Sequence, residues 1–270
     1  MEFIKMHGIG NDYVYVDCFK NPAPIDPSAL STEISMPHTG VGSDGLILIL
    51  PEEGADARMR IFNKDGSEGN MCGNGIRCVG KYLYDSGLCK KEKMRIMTGG
   101  GMRELEMVIE GGVATGARVD MGVPVIDPNK KSIVFPDGRK ADFTYLSLGN
   151  FHAVTLDRPQ KNDAQFYSDG PFAETNSAFA TPVNASFLEV IDSTHLKTRI
   201  WERGSGPTMA CGSGACATLV AAAHAGACSR AATVSLPGGD LFIEWLSSGS
   251  VFMTGPAEIS FTGIWKPNHI

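Results

Sequence analysis

No stretch of this 270-residue chain approaches about 18 unbroken apolar residues, which argues against a membrane-spanning helix. Lysine and arginine are nowhere clustered, and the net charge is −6. Such a surface cannot release counterions from phosphates, so nucleic acid is not an expected partner. The start, Met1-Glu2-Phe3-Ile4-Lys5-Met6-His7, lacks a basic flank followed by an apolar core, so no secretory leader is expected. The expected compartment is the cytoplasm. Cysteine pairs at C-x-x-C spacing are also missing: the seven cysteines stand at 18, 72, 78, 89, 211, 216 and 228. An odd number without that spacing suggests neither a disulfide framework nor a zinc ribbon, and no metal site is expected. Free cysteines of this kind are buried small apolar residues in most cases and reactive thiols in some.

What remains is an ordinary globular balance, 43% hydrophobic and 20% charged. The length is near that at which a single hydrophobic core gives way to two domains. The chain carries an internal repeat. Arg60-Ile61-Phe62-Asn63 and Met71-Cys72-Gly73-Asn74-Gly75 recur as Arg199-Ile200-Trp201-Glu202 and Ala210-Cys211-Gly212-Ser213-Gly214, 139 residues further on. The same offset carries Gly10-Asn11 onto Gly149-Asn150, Gly87 onto Gly226, and Gly99-Gly100 onto Gly238-Gly239, with no gap. Repeats define architecture, and here they divide the chain into two homologous halves, 1–117 and 118–261, with residues 262–270 as a tail of the first.

Short β-branched-rich runs bounded by Gly, Asn and Pro predict strands at Val14–Val16, Leu46–Leu50, Val154–Leu156 and Phe187–Ile191. Alternation predicts half-buried strands at Arg58–Phe62 and Lys197–Trp201. The one strongly helical stretch of each half follows its C-G-x-G: Ile76–Asp85 and Ala215–Ala225, with Gly87 and Gly226 at the C-terminal ends. The second is so apolar that it should be buried on most sides. The expected fold class is α+β, with two homologous domains related by a pseudo-twofold axis. Each is a mostly antiparallel sheet or barrel around a central helix.

A helix start has free backbone N–H groups and partial positive charge. Glycines there let a ligand approach closely, and a cysteine there is expected to have its pKa lowered towards neutrality. Two such sites facing one carbon could invert it. A thiolate takes the α-proton of an amino acid and a thiol returns one to the other face. The N–H groups of Gly73, Asn74, Gly212 and Ser213 hold the carboxylate on which charge develops. A structural N-cap turn and a catalytic disulfide are the competing readings. The halves differ where a substrate needs asymmetry: Asn63 is matched by Glu202 and Lys64 by Arg203. Arg203 can grip a carboxylate through two parallel hydrogen bonds, and Glu202 can accept from an ammonium. His152, whose counterpart is Tyr13, gains no role from the repeat alone.

Taken together, these motifs resemble the diaminopimelate epimerase family over nearly the whole chain: Lys5–Asp12, Gly40–Gly45, Asn63–Glu68, Met71–Cys78, Glu202–Gly204 and Ala210–Cys216. The resemblance implies epimerisation of LL- to meso-diaminopimelate, on the route to lysine and peptidoglycan precursors, without cofactor or metal. It implies Cys72 and Cys211 as base and acid, and Gly73, Asn74, Gly212 and Ser213 around the reacting carboxylate. Asn63, Asn150, Asn184, Glu202 and Arg203 would hold the distal amino-acid end. Asn11 would line the site, and His152 and Glu202 would tune the two thiols. A homodimer is expected. Three positions depart from the pattern: Pro37 replaces an arginine, Phe151 replaces a proline, and Gly45 stands where some members have glutamine. A proline-type racemase shares the fold and the cysteine pair, but its first motif is M-C-G-H-G where this chain has Asn74. Phenazine-type isomerases share the fold without the pair, and a non-catalytic amino-acid binder would not need both thiols.

Overall fold

The computed structural model describes residues 1–160 and 162–266. The chain forms two compact units, Met1–Val119 with Gly255–Ile270, and Asp120–Thr254. The first unit contains β1 (Glu2–Gly8), β2 (Asn11–Asp17), α1 (Pro27–Ile34), β3 (Gly45–Leu50), β4 (Ala57–Asn63) and β5 (Glu68–Gly69). It continues through α2 (Gly73–Asp85), β6 (Lys93–Thr98), β7 (Gly101–Glu110) and β8 (Val113–Gly122), whose last residues pass into the second unit. The second unit contains β9 (Val125–Ile126), β10 (Lys131–Val134), β11 (Lys140–Ser147), β12 (Phe151–Thr155), α3 (Asp163–Glu174) and β13 (Asn184–Asp192). It closes with β14 (His195–Glu202), β15 (Gly206–Pro207), α4 (Gly212–His224), β16 (Ala231–Leu236), β17 (Gly239–Trp245) and β18 (Val251–Pro256), and β19 (Glu258–Ile264) follows.

The two units have the same ladder. In the first, β1–β2 is antiparallel, β2–β3 parallel, β3–β4 antiparallel, β4–β6 parallel, and β6–β7–β8 antiparallel. In the second, β11–β12, β12–β13, β13–β14, β14–β16 and β16–β17–β18 repeat that series in the same directions. Register repeats too: Val14 pairs with Leu46 and Ala153 with Ala185, and Leu46 pairs with Phe62 and Ala185 with Trp201. The fold class expected from sequence is the one observed, a mostly antiparallel sheet built on a central helix in each unit. The six expected strands fall on β2, β3, β4, β12, β13 and β14, Leu156 excepted.

Each central helix is enclosed by its own sheet. Every residue of α2 from Gly73 to Lys81 is buried, as is every residue of α4 from Gly214 to Ala222. Both end on a left-handed glycine, Gly87 at φ 80° and Gly226 at φ 72°, a conformation open to a residue without Cβ. They start three residues earlier than periodicity suggests, at Gly73 and Gly212. Glycine disfavours helix by propensity, and enclosure overrides that.

Two further helices escape the sequence reading. α1 begins after Asp26, which accepts from Ala29 N, and has Pro27 at its first position. α3 begins after Asn162, which accepts from Gln165 N, and has Pro171 inside it. Neither has a clean apolar stripe: α1 buries Ser31 and Ile34, α3 buries Phe166, Asp169, Gly170 and Ala173. The domain boundary also differs. The strand β19 pairs antiparallel with β1, from Glu2–Ile264 to His7–Glu258. The chain from Gly255 onward therefore belongs to the first unit, and the expected end of the second half at 261 lies too far along. Among the described residues, no helix is long and apolar enough to cross a membrane.

The helix α3 packs so closely on β14 that a Cβ on Gly170 would lie 2.4 Å from the Trp201 ring. That ring cannot retreat: it packs against Phe166 and Tyr167, and its indole N–H donates to Glu174 at 2.8 Å. Gly170→Ala should therefore cost about 1–3 kcal/mol by overpacking, more than the about 1 kcal/mol that Ala gains over Gly in a helix. A thermal melt of the variant should show a lower Tm.

Candidate active site

In the first unit Cys72 is the N-cap of α2, in an extended conformation (φ −133°, ψ 117°), and its sulfur accepts from Gly75 N at 3.3 Å. A Cβ at 75 would lie 2.6 Å from Ile47 Cδ1, so a side chain there requires the tip of Ile47 to move. The first residues of α2 then meet an amide from β2. Asn11 Oδ1 accepts from Cys72 Sγ at 3.4 Å and from Asn74 Nδ2 at 3.2 Å. Gly73 gives its carbonyl to Arg77 Nη1 at 3.1 Å. The structure thus brings Asn11, Cys72, Gly73 and Asn74 together. Asn63, at the exposed end of β4, is tied instead to Ser67 Oγ at 3.0 Å.

In the second unit Cys211 is the N-cap of α4, also extended (φ −119°, ψ 102°) and 5% exposed. A Cβ on Gly214 would lie 2.5 Å from Ile200 Cδ1, the counterpart of the Gly75–Ile47 contact. The Cys211 sulfur lies 3.8 Å from Ser213 Oγ, which accepts from Asn150 Nδ2 at 3.3 Å. Asn150 Oδ1 in turn meets His152 Nε2 at 2.9 Å. Glu202, at the end of β14, accepts from the Thr208 hydroxyl and lies beside Cys211. Asn184 uses both amide atoms on backbone: Oδ1 accepts from Arg203 N at 2.9 Å and Nδ2 donates to Phe151 O at 3.2 Å. It holds the segments that carry Arg203 and His152. The Arg203 side chain is exposed.

Electrostatics departs from one expectation. The helix start was expected to lower both cysteine pKa values. Burial instead pushes the Cys211 thiol well up, and the neighbouring Glu202 carboxylate adds to this, against the Gly214 N–H. Loss of water outweighs the helix terminus because a buried thiolate loses its whole hydration shell. His152, fully buried, is pushed down to about 3 by burial and then by the Arg203 charge. Its Nδ1 has no hydrogen-bond partner among the described residues. Among those residues there is also no group of three or more His, Cys, Asp or Glu that could hold a metal ion.

With this geometry the comparisons are decisive. The family model for diaminopimelate epimerase matches residues 3–126 and 144–260. The chain belongs to this family. A diaminopimelate epimerase of Acetivibrio thermocellus is 47% identical, covering 97% of this chain and 98% of its own. One of Pelotomaculum thermopropionicum is 45% identical, again covering 97% and 98%. Among solved structures, a probable proline racemase from Agrobacterium radiobacter superposes with a TM-score of 0.76 at 14% identity, covering 98% of this chain and 92% of that one. A phenazine biosynthesis protein from Bacillus anthracis superposes with a TM-score of 0.73 at 15% identity, covering 97% and 98%. These two share the fold.

Against the family pattern, Gly45 is confined by this chain's own backbone. Its φ is +156°, and a Cβ there would lie 2.1 Å from Phe62 O, so no side chain fits. Phe151, in place of proline, stacks on Tyr145 with centroids 5.5 Å apart and planes 12° apart. Sequence reasoning did not single out Asp44, Arg77 or Tyr13. All three lie within motif runs or at repeat positions, but each has a partner distant in sequence: Asn11 for Asp44, Pro256 for Arg77, Cys72 for Tyr13.

The buried neutral His152 gives a pH dependence with a definite sign. Unfolded, the ring binds a proton below about 6.5; folded, it resists until about 3. Stability present above pH 6.5 is therefore lost as pH falls through that window, by up to a few kcal/mol. The drop in Tm between pH 7 and pH 4.5 should be smaller in His152→Gln than in the parent.

Proposed function

We propose that this chain interconverts LL- and meso-diaminopimelate by proton transfer at the α-carbon, using Cys72 and Cys211 as a two-sided acid–base pair. One observation carries the reading: each copy of the repeat places a cysteine as the N-cap of its buried central helix. The 45–47% identity to relatives that bear the epimerase name supports the substrate. In one direction the Cα–H bond breaks as an S–H bond forms on Cys72. The electron pair spreads into the carboxylate. The Cys211 S–H bond then breaks, and its proton goes to the opposite face of Cα.

The high Cys211 pKa suits the donor in that direction, since the thiol is the resting form at neutral pH. The charge that develops on the carboxylate would be met by the N–H groups of Gly73, Asn74, Gly212 and Ser213 at the positive starts of the two helices. At the distal end Arg203, with Glu202, Asn63, Asn150 and Asn184, would bind the second amino-acid group. Asn184 would act there by holding the Arg203 backbone. His152, a buried neutral ring joined through Asn150 to Ser213 beside Cys211, suits a group that tunes that thiol. The scheme needs no cofactor, and the proposed setting is a cytoplasmic homodimer in lysine and peptidoglycan precursor synthesis.

Two measurements test this. Incubated with diaminopimelate in deuterated solvent, the parent should exchange the α-proton, while Cys72→Ala and Cys211→Ala should each lose exchange; unchanged exchange in either refutes the two-thiol scheme. Arg203→Lys should raise KM at least about tenfold, or about 1.4 kcal/mol, because the bidentate grip is lost. An unaltered KM removes Arg203 from the distal clamp.

A further inference from the structure

The first unit contains a chain of hydrogen bonds whose direction is set at both ends. Arg77 is completely buried, and a guanidinium can only donate. Its Nη1 lies 3.0 Å from the Asn74 carboxamide, so the atom facing it must be oxygen. Asn74 Nδ2 is thereby aimed at Asn11, 3.2 Å away, and the Asn11 atom that receives it must be Oδ1. Asn11 Nδ2 then points to Asp44 Oδ2 at 2.7 Å, and a carboxylate can only accept. Asp44 is itself positioned by Asp12 N at 3.1 Å. Lys5 holds that loop by bonding both Asp12 and the Gly42 carbonyl. Starting from Arg77 or from Asp44 gives the same orientation for both amides. A flip of either one would set donor against donor or acceptor against acceptor.

The orientation has a chemical consequence at Cys72. Asn11 Oδ1, not the amide nitrogen, faces the sulfur at 3.4 Å. We propose that Asn11 is a fixed hydrogen-bond acceptor for the Cys72 S–H, and that Asp44 and Arg77 are positioning residues that keep its oxygen there. An acceptor stabilises the thiol and disfavours the thiolate. On the other side, Gly75 N at 3.3 Å and the start of α2 favour the thiolate. The sulfur therefore has a partner in each protonation state. A group that must take a proton from a very weak carbon acid gains from this, because the S–H formed by the transfer is stabilised as it appears. The inference rests on the proposed reaction for its use, but the hydrogen-bond direction stands without it.

Other groups also face the sulfur. The Tyr13 and Tyr15 rings come from β2 and Cys78 comes from α2, with Arg77 against Cys78; Lys64 faces Asp44 from the end of β4. Tyr13 lies within hydrogen-bonding reach of both Cys72 and Asn11. None of these changes the sign of what Asn11 presents.

The test is the pH profile of Cys72 alkylation by iodoacetamide, followed by mass spectrometry of the Cys72 peptide in a Cys211→Ala background without substrate. Asn11→Ala removes the acceptor and should shift the midpoint down by about one pH unit. Asn11→Asp keeps an acceptor and adds charge, and should shift it up. An unchanged midpoint in Asn11→Ala, or an upward shift such as loss of an N–H donor would cause, overturns the proposal. If Asn11→Ala does not fold, the Asn11→Asp profile decides alone, since a downward or absent shift there also overturns it. Because the readout needs no turnover, failure here and failure of α-proton exchange in the parent protein are separate results.

Discussion

A cysteine seated as the N-cap of a buried helix is the constraint that organises each unit, and in the first unit its sulfur accepts from the N–H three residues ahead. It demands an extended N-cap, a glycine at the third helical position, and an aliphatic side chain from a neighbouring strand closing over that glycine. Gly75 under Ile47 and Gly214 under Ile200 meet the demand in the two copies. The spacing C-G-x-G thus has a packing reason beside its chemical one: a Cβ at the second glycine would crowd the isoleucine tip that closes over it. The parallel pairs β2–β3 and β12–β13, in matching register, place the amides of Asn11 and Asn150 beside those helix starts.

What surrounds the sulfur differs between copies, and the differences are electrostatic. Cys72 is partly exposed and meets an amide oxygen, a backbone N–H and a tyrosine. Cys211 is buried and meets a carboxylate, with an amide and a neutral histidine behind Ser213. Identical thiols at equivalent positions are thereby set up differently: burial and Glu202 hold Cys211 protonated, while Cys72 has partners for both of its states. A proton passed across one carbon requires one loaded and one empty acid–base group, and duplication followed by divergence of the flanking residues is one way to make such a pair.

The same enclosure that shifts these groups also stabilises the units. α4, with Ala, Leu and Val on every face, has no polar side to turn outward and is wrapped by β11 to β14, β16 and β17. Burial of His152 without a charge, and of Arg77 among carbonyl oxygens, follows from the same packing. A guanidinium at one end of the chain can only donate and a carboxylate at the other can only accept, which is why two asparagine amides near Cys72 can be assigned from their neighbours alone.

The repeat, the two cysteines, the strands beside them and the asymmetric Glu202–Arg203 pair were all legible in the amino-acid order. Each depends on local spacing: the 139-residue offset, alternation along a strand, glycine where backbone must come close. Tertiary structure decided what local spacing does not encode. α1 and α3 have no apolar stripe, and form because a few residues such as Ile34 and Phe166 find a place on the sheet. Gly255 onward joins the first unit because β19 finds its partner in β1 at the other end of the chain. Solvent access reversed the expected pKa shift of Cys211, because desolvation depends on everything packed around a thiol and a helix terminus acts only along its own axis. The roles of Asp44 and Arg77 likewise required knowing which atoms face each other, since hydrogen-bond direction is a property of contacts and not of composition.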